Sequence, residues 1–484
     1  MYNQHPSNID ASAINIYNPC LNTDSYKLSH FLQLPPDQTE TFSYVSSRGG
    51  KYDVIIPCGP QPYLMQYLSV PIKQSDVEEA RIIADLHGVP FNYAGFAAMV
   101  EKKGGMWPVE IEASPEGLPI PTHHVIVTIR STDPEFAWVV GFLETGLLRA
   151  VWYMTTVATQ SWHIRHLIEE YANRTCDTLD GIEYKLNDFS ARGVSSFESA
   201  GLGGIGHLLS FCGTDNLAAI LFAMRFYQAG VIGRSVPAAE HSTITVYGRE
   251  GEADAYRQLL RQFAKPGAIV AIVSDSYDIK NAICNIWGVQ LRQEVIDSEA
   301  LVVIRPDSGD PVSIVAQSLV DLEAAYGSVT NSKGYRVLNH VRVIQGDGVN
   351  IDTIRKILET ITSLGFSVDN IAFGMGGALL QIVNRDDQRF AMKCSAVHLT
   401  SRGWVDVYKD PVTDPGKQSK RGQLTLMRLP NADDPLGWQY ATIRIEQQAE
   451  FESKGWAKVL RPVFRDGQIL AYTTIDEMRR NCGW

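Results

Sequence analysis

Between Ile269 and Gly377 the chain repeats one theme four times: a short, nearly continuous apolar run that passes at once into a polar or glycine-rich turn. Ile269-Val270-Ala271-Ile272-Val273 leads into Ser274-Asp275-Ser276-Tyr277-Asp278, and Leu301-Val302-Val303-Ile304 leads into Arg305-Pro306-Asp307-Ser308-Gly309-Asp310. Val341-Arg342-Val343-Ile344 leads into Gln345-Gly346-Asp347-Gly348, and Asn370-Ile371-Ala372-Phe373 into Gly374-Met375-Gly376-Gly377. Helical spacing fills the gaps, with Ile354, Ile357, Leu358, Ile361 and Leu364 on one predicted face. Strands that are apolar on both faces and alternate with helices imply a buried parallel sheet. When every strand ends in acidic, basic or glycine residues, the pattern is that of a β/α barrel, whose site is built at the carboxyl ends of the strands. Any one such turn is explained by ordinary turn chemistry; four in series point to a shared site.

The two ends of the chain have another texture. Pro108-Val109-Glu110-Ile111-Glu112-Ala113 alternates with period two, Ser114-Pro115-Glu116-Gly117 turns, and His124-Val125-Ile126-Val127-Thr128-Ile129 follows, which predicts a hairpin. Pro134 to Asn173 reads as helical. After Arg389 strands return at 389–394 and 403–408, and 462–470 reads as a hairpin across Asp466-Gly467. The expected fold class is therefore α/β: an irregular β/α barrel over 151–388, flanked by a β-rich α+β domain built from 1–150 and 389–484. At 484 residues and 45% hydrophobic content the chain can bury a core of that size.

Composition narrows the functions. No stretch approaches the roughly 18 apolar residues of a membrane span, and the first 29 residues lack a basic segment followed by an apolar one. The seven cysteines are scattered without a Cys-x-x-Cys pair, which reads as reduced thiols in a cytoplasmic protein, not a disulfide frame or zinc site. A net charge of −11 argues against a nucleic-acid partner, though a few local cations can still hold a phosphorylated small molecule.

Gly201-Leu202-Gly203-Gly204-Ile205-Gly206 formally matches a dinucleotide fingerprint. It follows no strand and has no acidic residue about twenty positions later, so glycines permitting close helix packing are the better reading. Phosphate binding is better supported. Gly346-Asp347-Gly348 and Gly376-Gly377 offer backbone N–H groups after strands, while Arg192, Arg305, Arg385 and the loop from Lys409 to Lys420 offer cations. Asp275, Asp278, Asp307 and Asp310 just past two strands suit either Mg²⁺ on a pyrophosphate or helix N-capping. His241, within Ser235 to Thr245, is either a structural histidine or a nucleophile held by hydrogen bonds.

These motifs converge on a family. Thr23-Asp24-Ser25-Tyr26-Lys27, Glu183-Tyr184-Lys185-Leu186, Asp188-Phe189, Arg192-Gly193-Val194-Ser195-Ser196, Gly213-Thr214-Asp215, the run Ser235 to Thr245 and the turns after the last strands occur in order along almost the whole chain. Taken together they resemble the type II nicotinate/nicotinamide phosphoribosyltransferases, and the nicotinamide enzymes in particular. The resemblance implies transfer of a phosphoribosyl group from phosphoribosyl pyrophosphate to nicotinamide, giving nicotinamide mononucleotide for NAD synthesis. It implies a homodimer whose active sites are completed by the partner's Asp24 and Tyr26, with nicotinamide stacked between Phe189 and the partner's Tyr26.

On the same resemblance, Asp215 accepts the carboxamide N–H and Arg305 lies beside the ring. Asp307, Gly346, Asp347 and Gly377 hold the ribose and its phosphate. Arg192, His241, Arg305 and Arg385 meet phosphate groups, with Arg48, Lys393, Lys409 and Lys417 nearby. His241 is phosphorylated by the co-substrate ATP, Asp275 orients its imidazole, and Mg²⁺ acts on the pyrophosphate near Asp275 and Asp307. Asn187, Met375 and Gln423 depart from the residues of animal members. Nicotinate phosphoribosyltransferase is the nearest alternative, and the carboxylate of Asp215 disfavours it because like charges repel. A quinolinate enzyme would need a more cationic pocket, and an oxidoreductase would rest only on the Gly201 to Gly206 string.

Overall fold

The computed structural model describes residues 14–413 and 419–484. It contains two compact units: Gln160–Val383, and the chain up to Thr159 together with Asn384–Trp484. Both divisions differ from the expected 150/151 and 388/389. The first falls inside the 32-residue helix Glu144–Thr175, where nothing in the local composition marks a break.

The 160–383 unit is built on six strands: β1 (Leu186–Asp188), β2 (Gly213–Thr214), β3 (Ile269–Val273), β4 (Leu301–Arg305), β5 (Val341–Gln345) and β6 (Ile371–Met375). Their order is β2-β1-β6-β5-β4-β3, and every pairing is parallel. The apolar runs explain this, since Val270, Val302, Ile304, Val343 and Phe373 are all buried. Parallel neighbours require crossovers, and the sequence supplies capped helices. Helix Pro311–Tyr326 opens on the Asp310 carboxylate, which accepts the Ser313 N–H at 3.0 Å, and on a proline at its first turn. Helix Ile351–Ser363 opens on a capping box between Asn350 and Thr353 and buries Ile354, Ile357, Leu358 and Ile361. Leu364, expected on that apolar face, is exposed because the helix ends one residue before it.

One extended segment bonds both edges of this sheet. Arg234 donates its N–H to Cys212 O (2.7 Å) and accepts from Thr214 N–H (2.9 Å) at the β2 edge. A few residues on, Ala271 N–H in β3 donates to Pro237 O (3.0 Å), and Ala239 N–H donates to Ala271 O (2.9 Å). The parallel sheet is therefore curled, with its edge carbonyls and N–H groups satisfied by residues 234–239.

The other unit centres on a seven-stranded sheet that interleaves both chain ends. Its order is Gly403–Asp406, Ala391–Leu399, Gln38–Ser46, Val125–Ser131, Val109–Ala113, Arg461–Arg465 and Gln468–Ile469. The hairpin expected of 108–113 with 124–129 is present as an antiparallel pairing of Val109–Ala113 with Val125–Ser131. The turn at Asp466-Gly467 has positive φ at both residues (48° and 85°), the geometry that suits a tight hairpin. Among the described residues no helix is long and apolar enough to cross a membrane.

Candidate active site

The turns at the carboxyl ends of the parallel strands bring most of the sequence-predicted residues of this unit to one rim. Phe189 follows β1, and its N–H donates to Met375 O of β6 at 3.0 Å. The preceding Asp188 is fully buried, accepting from Ser190 N–H (2.8 Å) and from Asn216 Nδ2 (2.9 Å), so the turn that carries Phe189 is rigidly held. Gly374 must be glycine here, because a Cβ at that position would overlap the Phe189 ring. The Phe189 ring and Asp307 Oδ1 crowd Gly346, where a Cβ would lie 3.6 and 3.3 Å from them. Arg192 sits in a tight turn at Ala191–Gly193, and a Cβ on Gly193 would stand 3.3 Å from the Cα of Gly377. The turns after β1, β5 and β6 thus meet closely, with glycine wherever backbone approaches side chain.

Asp215 follows β2. It does not cap the next helix, since Asn216 does so by accepting the Ala219 N–H. The Asp215 carboxylate instead accepts the hydroxyl proton of Ser235. The residue is exposed and faces an open cavity. That cavity, of about 980 Å³, is lined by Phe189, Asp215, Ser235, Asn187 and the inner faces of Ala271, Val303 and Ile344. It extends to Lys185, whose ammonium donates to the carbonyls of Val368, Asp369 and Ile371 at 2.9–3.2 Å. Burial lowers the Lys185 pKa to about 8, against the opposing charge of Asp369.

The four acidic residues divide by role. Asp278 and Asp310 cap helices, accepting the N–H groups of Asn281 and Ser313 at 3.0 Å each. Asp275 instead joins a relay. His241 Nε2 lies 3.0 Å from Asp275 Oδ1, while Asp275 Oδ2 accepts from Asp307 N–H (3.0 Å) and Ser308 Oγ (2.6 Å). The imidazole is 45% exposed and the carboxylate only 3%, so the acid is a fixed base for a ring that faces the solvent. Burial alone would raise the Asp275 pKa, but the hydrogen bonds from Ser308, His241 and Asp307 outweigh it and hold the carboxyl below its usual range. A carboxylate only accepts, so the ring donates to it from Nε2, and in the neutral ring that tautomer leaves the lone pair on Nδ1.

Both Asp275 oxygens accept hydrogen bonds, which fits an orienting role for the carboxylate. Asp307 gives one oxygen to Arg305 Nη2 at 3.2 Å, and its Oδ1 accepts no hydrogen bond from the described residues. Magnesium needs few protein carboxylates when substrate oxygens and water complete its shell, and Asp307 meets that requirement. Arg305 Nε is buried without a partner among the described residues, a donor still to be satisfied.

Other expected residues belong to the second unit. Asp24 is held on helix Glu144–Thr175: Thr145 Oγ1 donates to its carboxylate at 2.7 Å and lies 3.2 Å from its N–H. Tyr26 is 57% exposed, edge-on to His30. Arg48, Lys393 and Lys409 share one charged neighbourhood. Burial lowers the Lys393 pKa, Glu144 works against this, and Lys409, Arg48 and Lys27 add to it. Arg385, expected in the barrel, falls in this unit and pairs with the adjacent Asp386 at 3.1 Å. Lys417 lies outside the described residues. The Gly201 to Gly206 string forms part of helix Phe197–Leu208, where Cβ atoms at Gly201 and Gly204 would overlap Phe222 and Ala219 of the next helix, so it serves packing. Ser308 and Ser235 were not singled out from sequence; each sits inside a motif whose charged neighbours carried the signal.

Residues 184–468 match the nicotinate phosphoribosyltransferase family model, and residues 18–111 match that of the nicotinamide phosphoribosyltransferase amino-terminal domain. A nicotinamide phosphoribosyltransferase of Xanthomonas campestris pv. campestris is 52% identical over 463 residues, covering 96% of this chain and 97% of that protein. One from Mycoplasma pneumoniae is 33% identical, over 83% of this chain and 94% of its own length. Among solved structures, a Pyrococcus furiosus nicotinate-nucleotide pyrophosphorylase aligns with a TM-score of 0.62 at 14% identity, over 100% of this chain and 97% of that one, which speaks to the fold. The human nicotinic acid phosphoribosyltransferase aligns with a TM-score of 0.56 at 16% identity, over 95% and 92% of the two chains. The chain belongs to the nicotinate phosphoribosyltransferase family and carries the amino-terminal domain of its nicotinamide phosphoribosyltransferase branch.

Proposed function

We propose that this enzyme transfers the phosphoribosyl group of phosphoribosyl pyrophosphate to nicotinamide, giving nicotinamide mononucleotide and pyrophosphate in NAD biosynthesis. The observation that carries the reading is the Asp215 carboxylate in the cavity beside Phe189, an acceptor to which no cation is bonded among the described residues. An amide N–H satisfies such a group, whereas the carboxylate of nicotinate is repelled by it. The ring nitrogen of nicotinamide attacks the ribose C1 as the bond to pyrophosphate breaks. Positive charge develops on the sugar and negative charge on the leaving group, so catalysis rests on positioning and electrostatics. Phe189 offers a stacking face, Arg305 an unsatisfied donor, and Arg192, Asp307, Gly346, Asp347 and Gly377 the groups for ribose and phosphate. Mg²⁺, held by Asp307 and substrate oxygens, would neutralise charge on the pyrophosphate.

The same reading assigns ATP coupling to His241. Its Nδ1 lone pair attacks the γ-phosphorus of ATP, ADP leaves, and water later takes the phosphoryl group from the ring. The Asp275 relay supports this by holding an exposed imidazole in the nucleophilic tautomer. In the irregular β/α barrel so assembled, the stacking partner for the second face of the ring comes from another copy of the chain. Exposed Tyr26, and the exposed stripe of Leu217, Leu221 and Met224 on helix Leu217–Tyr227, support a homodimer.

Three results check these assignments. Asp215→Ser removes the charge without removing a helix cap, so it weakens use of nicotinamide and raises use of nicotinate; steady-state assays should show the preference ratio falling by about tenfold or more. An unchanged ratio would give selectivity to other residues. His241→Ala should abolish ATP hydrolysis and leave a slow ATP-independent synthesis, and labelled ATP should leave an acid-labile phosphate on the wild type alone. No label on the wild type would remove the phosphohistidine. Finally, mixing inactive Tyr26→Ala and Phe189→Ala chains should restore about a quarter of the activity, since half the dimers carry one intact site of two. No recovery from confirmed heterodimers would remove the shared site.

A further inference from the structure

Asp215 is itself held by a neighbour. Ser235 lies one residue past Arg234, whose N–H and carbonyl bond Cys212 and Thr214 in the ladder beside β2. That ladder sets the Ser235 hydroxyl against the Asp215 carboxylate, and both groups line the same cavity. The direction of the hydrogen bond follows from chemistry, because a carboxylate has no proton to give. Ser235 therefore donates to Asp215 Oδ1. The other acceptor within reach, Val236 O, lies 3.4 Å away, at the outer edge of hydrogen-bond range.

This arrangement has two consequences. Asp215 Oδ2 accepts no hydrogen bond from the described residues, so it is the oxygen left for a ligand. The single proton of Ser235 is committed, so its oxygen faces the cavity with lone pairs only. We propose that Ser235 is a positioning and specificity residue: it fixes the orientation of Asp215 and makes the pair a pure acceptor, matched to a carboxamide NH₂ and offering a substrate carboxylate no donor. The inference rests on the nicotinamide reading above and deepens it. A hydroxyl free to rotate would donate to nicotinate as readily as it accepts from nicotinamide; a hydroxyl tied to a carboxylate does not.

The test is a double-mutant cycle on the full-length enzyme, with nicotinamide and nicotinate as variable substrates and phosphoribosyl pyrophosphate saturating. Ser235→Ala should raise KM for nicotinamide about tenfold, the effect of losing one hydrogen bond to a charged group, with kcat and the KM for phosphoribosyl pyrophosphate changed less than about twofold. Ser235→Thr keeps the hydroxyl and should restore KM to within about threefold of wild type. In an Asp215→Ala background, Ser235→Ala should change KM less than about twofold, because the group it positions is gone. Equal effects in both backgrounds, or no effect in either, would overturn the proposal. If the alanine variant does not fold, Ser235→Cys, a far weaker donor, carries the same expectation. A wild-type enzyme that prefers nicotinate would remove the nicotinamide reading; one that prefers nicotinamide, with Ser235→Ala indistinguishable from it, would remove only the role of Ser235.

Discussion

The parallel ladder from β2 to β3, bonded at both edges by residues 234–239, is the constraint on which everything at the rim depends. Parallel strands point their carboxyl ends the same way, so six turns scattered between Phe189 and Gly377 emerge together. The edge segment does double work. It satisfies the backbone of both edge strands and, in the next few residues, delivers Ser235 to Asp215 and His241 to Asp275. Loosening that segment would separate both pairs at once.

What could be read beforehand follows from how each element announces itself. The strands β3 to β6 are apolar on both faces and end in sharp changes of chemistry, so hydropathy alone finds them. By contrast β1 and β2 are three and two residues long, and Leu186-Asn187-Asp188 and Gly213-Thr214 have too little apolar content to stand out. Sequence spacing left Asp275, Asp278, Asp307 and Asp310 equivalent. Only three dimensions separate the two that cap helices from the two joined by a hydrogen bond from the Asp307 N–H to the Asp275 carboxylate. Ser235 and Ser308 were invisible for a related reason: a serine gains meaning from its acceptor, and each acceptor lies 20 or 33 positions away in the chain.

The site uses two carboxylates in opposite ways. Asp275 is nearly sealed, saturated with donors, and acts through the imidazole it holds. Asp215 is open to the cavity, and among the described residues one of its oxygens accepts no hydrogen bond, so it is free to accept from a ligand. Burial and hydrogen bonding, not residue type, set the difference. The Arg305 Nε is buried without a partner among the described residues, and such a donor is costly unless an acceptor is supplied.

The central claim is that this site chooses an amide over a carboxylate. The most direct measurement is a competition assay on the wild-type enzyme with phosphoribosyl pyrophosphate, Mg²⁺ and equal nicotinamide and nicotinate, with and without ATP, the mononucleotide products separated and quantified. The account predicts nicotinamide mononucleotide as the dominant product under both conditions, in greater yield with ATP. Nicotinate mononucleotide as the main product would contradict it.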